Sequence, residues 1–462
     1  MVEHPRDGGI HPFFGEPTGP FEPPQRVYAR WIEGEEGDFA LFDAVDATSF
    51  HRLYADVERA FRAPWREKVK AAQIYAIEVN PAISGDAALA WLEKYGQEPM
   101  PGWLDIAIAP DPGGPTAVYN TITGEPARVD ISIRHASEEM AVILDEASDL
   151  TEFAVEDGVI STALGSLAID QVFVLDVGQG SANALLSGPG NVVAYVDLGG
   201  GVQNDAGTWP PALTGLCLCH SPPVILTHWH YDHFDAANRV SAAQALTWIA
   251  PLQQLSTGPQ FAMAAGIATQ SKLLLWNAVP GTILSSGNLR LERCDGPAGD
   301  QNRTGIAVWV DGSASAGPML LPGDAGYLDI NSLTNWMGVT ALAVAHHGGR
   351  AAGSPPSPSI PGGSRAAFSY GYNNSYRHPL SRTIVASGGT VSPALTALTT
   401  AGWVIGYPTA SVDERRTEDR RSSYGAPSSP GGSGLGHIRL SWPGSNHAPF
   451  TCNCGAPFEP TQ

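Results

Sequence analysis

Apolar and polar positions follow two different rhythms along this chain. Between Arg26 and Asp157, strand-like runs (AQIYAIEV, WLDIAIA) are mixed with FHRLYADVERAFRAPWREKV, GDAALAWLEKYG and HASEEMAVILDEASDL, whose apolar residues recur at three- and four-residue spacing. That spacing puts apolar side chains on one helical face, so the region predicts a small α/β domain. From about Leu167 the pattern becomes brief, near-continuous apolar runs, VFVLDVG, VVAYVDLGG, VILTHWH, AVWVDG, PMLLPGD and ALAVAHHGG, separated by Gly-rich turns. These predict buried strands, and each ends in polar or acidic residues. Strands that finish in Asp, His or Gly converge on one edge of a sheet, where α/β folds gather their chemistry.

The Pro- and Gly-rich residues 1–25 predict an extended arm. The stretches 348–365 and 413–434, rich in Ser, Gly and Pro, predict surface loops. The chain therefore divides into the arm, an α/β domain over 26–165, a second domain over 166–445 and a tail over 446–462. A length of 462 residues agrees with two domains. Hydrophobic residues at 43% against 16% charged exclude wholesale disorder.

Charge separates the two halves further. The formal net charge is −20; residues 1–165 hold 12 bases and 29 acids (12 − 29 = −17), and 166–462 hold 14 and 17 (14 − 17 = −3). So acidic a chain is no general nucleic-acid coat, which needs a basic surface to displace counterions. The second domain, close to neutral, keeps a phosphate-bearing substrate open, and the acidic domain suggests a protein partner. Five cysteines, an opening MVEHPRDGGIHPFF without a basic or apolar leader, and no run of 18 apolar residues predict a cytoplasmic protein with no membrane segment. Cys217-Leu-Cys219 and Cys452-Asn-Cys454 are CxC pairs, shorter than the usual CxxC zinc knuckle.

The chemistry concentrates in residues 227–235, Thr-His-Trp-His-Tyr-Asp-His-Phe-Asp, directly after the apolar run VIL. His228, His230, Asp232 and His233 fall within six residues. Imidazole and carboxylate suit zinc and similar divalent ions, and a tight turn after a strand fans such side chains toward two adjacent ion positions. An ion held by two or three protein ligands leaves room for water and lowers its pKa from about 16 toward 7, so the expected reaction is hydrolysis by hydroxide. GQGS at 178–181 is a weak phosphate-loop signal, since a tight turn explains both glycines.

This segment resembles the signature of the metallo-β-lactamase-fold hydrolases, which implies an αββα sandwich for the second domain. On that resemblance Asp197 in VAYVDLGGG orients the metal loop, Asp324 in LLPGDAGY bridges two ions, and His346 in VAHHGG is the final metal-binding histidine. FVLDVGQGSANALL, VDLGGG, QNRTGIAVWV, LLPGD, HHGG, NNSYRHP and GYPTASVD…GLGHIRLSW are similar to the soluble C-terminal domain of ComEC-type DNA-uptake proteins, from about Ile169 to Pro443. The resemblance implies a phosphodiesterase or nuclease with one or two Zn²⁺ or Mn²⁺ ions. His228 and His230 would bind one ion, Asp232, His233 and His346 the other, with Asp324 bridging. Asp232, Asp324 and His378 form the catalytic set; Asn302, Thr304, His347 and His378 face substrate; Asp176 and Asp197 support the ligands. His378 has the alternative of capping the turn before Pro379, Asp176 that of capping its own turn. Two departures stand out: Ser181 replaces an acidic residue, and no histidine lies between His233 and His346. A carboxylic ester, lactone or thioester hydrolase, and a partner-binding protein regulated through its acidic domain, are the competing readings.

Overall fold

Alternation of inward apolar and outward charged residues dominates the first half, and in the computed structural model it closes into a barrel. The structure describes residues 11–16, 19–35, 39–54, 71–79, 102–188, 191–211, 213–269, 272–312, 317–335, 338–371, 374–376, 378–379, 384–386, 389–391, 398, 401–406 and 438–442. It forms two compact units, Met1–Glu152 with Gln254–Leu273, and Phe153–Gln253 with Leu274–Gln462.

In the first unit, β1 (Arg26–Glu35), β2 (Phe39–Asp46), β3 (Ile74–Val79), β4 (Leu104–Pro110), β5 (Thr116–Tyr119) and β6 (Ala127–His135) form a closed antiparallel barrel in the order β1-β2-β3-β5-β6-β4. Every second residue points inward: Val27 and Ala29, Ala40, Phe42 and Ala44, Tyr75 and Ile77, Leu104 and Ile106 share one core. Closure leaves no unpaired strand edge. The strand pieces IYAIEV and LDIAIAP and the helix Glu138–Ala147, capped by Ser137, lie where the pattern predicts them. GDAALAWLEKYG and most of FHRLYADVERAFRAPWREKV lie outside the described residues, which retain the helix Ala47–Tyr54. The unit is thus built around strands to a degree the α/β reading did not anticipate. Strands such as ARVDISIRH carry so many outward charges that they do not stand out as apolar runs.

One element of this unit comes from far along the chain. The helix Pro259–Ala268 has no side-chain cap of its own; instead the Gln260 N–H, in its first turn, donates to Asp43 Oδ2 on β2 at 2.8 Å. Burial pushes the Asp43 carboxyl up to about 8, against hydrogen bonds from the Gln260 backbone, Ser256 and the Ala44 backbone. A carboxyl whose folded pKa exceeds its unfolded value favours the fold most below pH 3.8 and loses that contribution as pH rises through about 8. The first unit should therefore lose stability across that window, by a few kcal/mol in order of magnitude. Asp43→Asn should flatten the dependence, read as thermal melts of the intact chain at several pH values; an unchanged slope would assign it elsewhere.

The second unit carries β7 (Ala154–Val155), β8 (Gln171–Val174), β9 (Ala182–Ser187), β10 (Asn191–Leu198), β11 (Val224–Ile225), β12 (Trp248–Pro251), β13 (Leu273–Trp276), β14 (Ile283–Ser286), β15 (Leu289–Arg293), β16 (Ile306–Val310), β17 (Met319–Leu321), β18 (Ala341–Ala343), β19 (Arg365–Ala367), β20 (Ile384–Ala386), β21 (Gly389–Val391), β22 (Val404–Gly406) and β23 (Ile438–Ser441). An eight-stranded sheet, β23-β8-β9-β10-β11-β12-β13-β7, and a seven-stranded sheet, β14-β15-β16-β17-β18-β19-β22, share one apolar core. Val172, Val196 and Ile225 from the first meet Leu291, Val308 and Leu321 from the second in that core. Among the described residues the helices of this unit are short, Asp157–Leu164 and Ala236–Arg239 with several 3₁₀ turns. It is a mixed α/β unit, rich in sheet, and its outer helical layers are thinner than an αββα sandwich leads one to expect. No helix among the described residues is long and apolar enough to cross a membrane.

β10 and β11 run parallel in one sheet, and β17, β18 and β19 run parallel in the other. Asp197 lies at the end of β10, and His228, Asp324, His346 and the segment 369–379 follow β11, β17, β18 and β19. Parallel strands end side by side, so residues far apart in sequence arrive at one rim.

Candidate metal centre

A buried carboxylate organises this rim from behind. Asp197, fully buried, accepts from the Thr227 N–H at 2.7 Å, the Thr227 hydroxyl at 3.0 Å and His233 Nδ1 at 2.8 Å. Thr227 Oγ1 in turn accepts from His228 Nδ1 at 3.0 Å. Asp197 holds a left-handed backbone, φ 58°, which L residues seldom adopt and which clusters at functional sites. Both imidazoles are thereby fixed with Nε2 facing away from the support, the tautomer that leaves an Nε2 lone pair for an ion.

Asp324 sits where those nitrogens point. Its Oδ2 lies 3.6 Å from His228 Nε2 and 3.8 Å from His346 Nε2; its Oδ1 lies 3.1 Å from His233 Nε2 and 3.7 Å from His347 Nε2. Asp232 completes the second side, with Oδ2 3.1 Å from His347 Nε2 and Oδ1 3.9 Å from His233 Nε2. Within the second unit, two trios of described residues have the spacing to hold an ion, His228–His233–Asp324 and Asp232–His233–His347. The Nε2 atom of His228 is buried with no hydrogen-bond partner, a cost that ligation of a divalent ion removes.

The charges fit the same use. Burial alone would raise the Asp324 carboxyl, but His233, His346, His347 and His228 hold it well below the usual carboxylate range. Asp232 is likewise drawn down to about 2, its burial outweighed by His233 and His347. Burial would lower His233, yet Asp324, Asp197 and Asp232 raise it well above the ordinary imidazole value, and Asp324 and Asp232 raise His347. His228 is pushed well down, by burial and then by His233 and His230.

The structure thus brings His228, Asp232, His233, Asp324, His346 and His347 together. The His230 ring lies 4.5 Å from that of His228 but belongs to neither trio. The sequence reading made His346 the ligand beside Asp232 and His233; in the structure His347 occupies that place, because its Nε2 contacts Asp232 directly. His378 is buried, its ring 5.3 Å from His346 and 6.1 Å from His347, in the room left by Gly349, where a Cβ would meet His378 Nε2 at 2.5 Å. Asp176 is buried just after β8, while the metal loop's described hydrogen bonds run to Asp197. Thr304 is engaged through its hydroxyl with the Asp300 carbonyl and Gln253, and Asn302 Oδ1 is buried without a partner. Ser181 Oγ accepts from Asn183, and Asp235 pairs with Arg239 at 2.6 Å rather than with a ligand. Cys217 and Cys219 bring their sulfurs to 3.7 Å, and Cys452 and Cys454 lie outside the described residues.

Sequence reasoning missed the fastening of His378. Asp205, on the 3₁₀ turn Gln203–Thr208, accepts from the Ser375 N–H at 2.8 Å and hydroxyl at 2.7 Å. Asn374 takes the His378 N–H at 2.8 Å and donates to its carbonyl at 2.7 Å. It also missed Asp300, whose carboxyl burial raises while the Arg303 N–H, Arg303, His230 and His346 pull it down. Asp205 and Asp300 sit in polar loops, with no pattern to separate them from ordinary turn residues.

No protein-family model matches the chain, and no curated protein matches it significantly. Among solved structures it is similar to MEM-A1, a subclass B3 metallo-β-lactamase from a soil metagenome library, at 13% identity over 39% of this chain and 78% of that one, with a TM-score of 0.24. It is similar to YhfI, a metallo-β-lactamase-fold protein of Bacillus subtilis, at 17% identity over 38% and 71%, with a TM-score of 0.23. Zn²⁺-bound PqqB of Methylobacterium extorquens aligns at 10% identity over 51% and 97%, with a TM-score of 0.29. The structural neighbours are thus metallo-β-lactamase-fold proteins, and at these scores the chemistry rests on the side chains of this chain alone.

Proposed function

We propose that the second unit is a metal-dependent hydrolase of phosphodiesters, a phosphodiesterase or nuclease of the kind its ComEC-like motifs suggest. The observation that carries the reading is the single carboxylate of Asp324, whose two oxygens each face a pair of imidazoles. That arrangement suits two adjacent divalent ions, Zn²⁺ or Mn²⁺, sharing one bridge. Bound there, such ions activate water and neutralise the charge that develops on a phosphoryl group. The chain's own part is to hold the ligands rigid through Asp197 and Thr227, to keep Asp232 and Asp324 ionised, and to seat His378 beside the cluster, within reach of a substrate oxygen.

The test compares wild type with His228→Ala on single-stranded DNA, duplex DNA, RNA and bis(p-nitrophenyl) phosphate, with p-nitrophenyl acetate alongside, each in zinc or manganese. Phosphodiester cleavage reduced about 100-fold or more in the variant supports the reading. Metal-dependent cleavage of the acetate alone transfers it to carboxylic esters.

A further inference from the structure

Of the chain's five cysteines, four stand in two Cys-x-Cys pairs, Cys217-Leu-Cys219 and Cys452-Asn-Cys454, which the metal centre does not use. Cys219 is disulfide-bonded, whereas Cys217 and Cys294 are buried free thiols. We propose that Cys219 is bonded to one cysteine of the C-terminal pair and that Cys217 is a built-in exchange thiol, which attacks Cys219 and releases the C-terminal segment. The inference is independent of the hydrolytic reading above.

Three observations carry it. The first is a count: with Cys217 and Cys294 both free, only Cys452 and Cys454 remain to pair with Cys219 within one chain. The second is a distance. Cys217 Sγ lies 3.7 Å from Cys219 Sγ, so a free thiol already touches a sulfur of the bond it would attack. Cys294 is no rival for that attack, because it is fully buried in a different apolar cluster, the one that holds Trp309 and Tyr327. The third is anchorage. Cys217 is buried, and its carbonyl accepts from the Tyr195 hydroxyl of β10 at 3.0 Å, which holds the attacking residue against the sheet and shields its thiol from outside reagents.

The step balances without a co-reactant. Cys217 gives up its proton and its sulfur bonds to Cys219; the bond from Cys219 to the C-terminal cysteine breaks, and the departing sulfur takes up a proton. One disulfide replaces another, and three thiols remain throughout (5 − 2 = 3). Burial pushes the Cys217 thiol up, against backbone hydrogen bonds from Cys219 and Val192, so exchange is slow near neutral pH and quickens as pH rises. The pair lies where β10 and β11 begin, whereas Asp197 lies at the end of β10 and His228 follows β11. Exchange therefore changes how the C-terminal segment is attached and leaves the metal ligands where they are.

The experiment maps the cysteines of the full-length protein, kept free of added reductant. Acid quenching, alkylation of the free thiols and peptide mass mapping should find Cys219 joined to Cys452 or Cys454, with Cys217 and Cys294 alkylated. Incubation at about pH 9, with neither oxidant nor reductant added, ionises a larger share of Cys217. An internally linked Cys217–Cys219 peptide should then appear as the first linkage falls, at a rate independent of protein concentration and with the thiol count unchanged. Cys217→Ser should keep the first linkage through the same incubation. Cys219 recovered alkylated from the starting protein, as in a zinc–thiolate site, overturns the pairing. Absence of the Cys217–Cys219 peptide after incubation, or loss of the first linkage in Cys217→Ser at the wild-type rate, overturns the exchange.

Discussion

Asp324→Ala should empty both ion positions and lower the hydrolytic rate on the order of 1,000-fold or more. No other described carboxylate faces both sides of the cluster: Asp232 reaches the His233 and His347 nitrogens, and Asp197 stands behind the ring of His233. Removing Asp324 takes away the one carboxylate that the His228, His233, His346 and His347 Nε2 atoms all face. In the metal-free protein its charge also helps hold His233 and His347 above the ordinary imidazole value, so both should titrate at lower pH in the variant. The sign for wild type follows. Imidazoles whose folded pKa is raised stabilise the metal-free fold below pH 6.5, and that contribution is lost as pH rises through the raised values. Ion uptake must expel those protons, so affinity should rise with pH over the same range. Ion content, hydrolysis and histidine NMR check this together. A variant that keeps both ions and a tenth of the rate would remove Asp324 from the centre of the site.

Gly199→Ala should destabilise the second unit by about 3 kcal/mol or more and lower its ion content with it. A Cβ at Gly199 would stand 1.6 Å from the Asp232 carbonyl oxygen and 2.7 Å from that of Ser181, both main-chain atoms that no rotamer change can move. The same Asp232 carbonyl accepts from the Ser181 N–H at 3.0 Å and the Gly200 N–H at 3.2 Å. The glycine turn after β10 is therefore the seat on which the metal loop rests, and displacing it displaces the Asp232 side chain. Gly207→Ala, where a Cβ meets nothing within 4 Å, is the matched control and should be close to neutral. Denaturant unfolding with ion counting distinguishes them; equal stability in both variants would mean the loop tolerates a shift of more than an ångström.

The neighbours' low TM-scores leave the fold's finer arrangement to the strands themselves, and here the apolar runs were informative. VFV, VVAYV, AVWV, MLL and ALA are all strands of the two sheets, because near-continuous apolar runs of this length are stable only when buried on both faces. The barrel strands were harder to see. β6 reads ARVDISIRH, and only closure of the sheet explains why so charged a segment is a strand.

The sequence by itself determined that His228, Asp232 and His233 belong together, because nine residues hold them on one turn. It also determined that strand ends carry the chemistry, since an apolar run fixes where a strand lies and the polar residue after it fixes where it stops. Only the tertiary structure decided which of two adjacent histidines faces Asp232, because a one-residue choice depends on backbone φ and on carbonyls at Arg350 and Ser369. It alone decided that Asp205 fastens the loop of His378 across 170 residues, and that Gln254–Leu273 belongs with the barrel. The reason is common to all three. Local spacing is written into the chain, whereas a partner beyond the next turn is selected by where parallel strands end and by which buried groups must find a hydrogen bond.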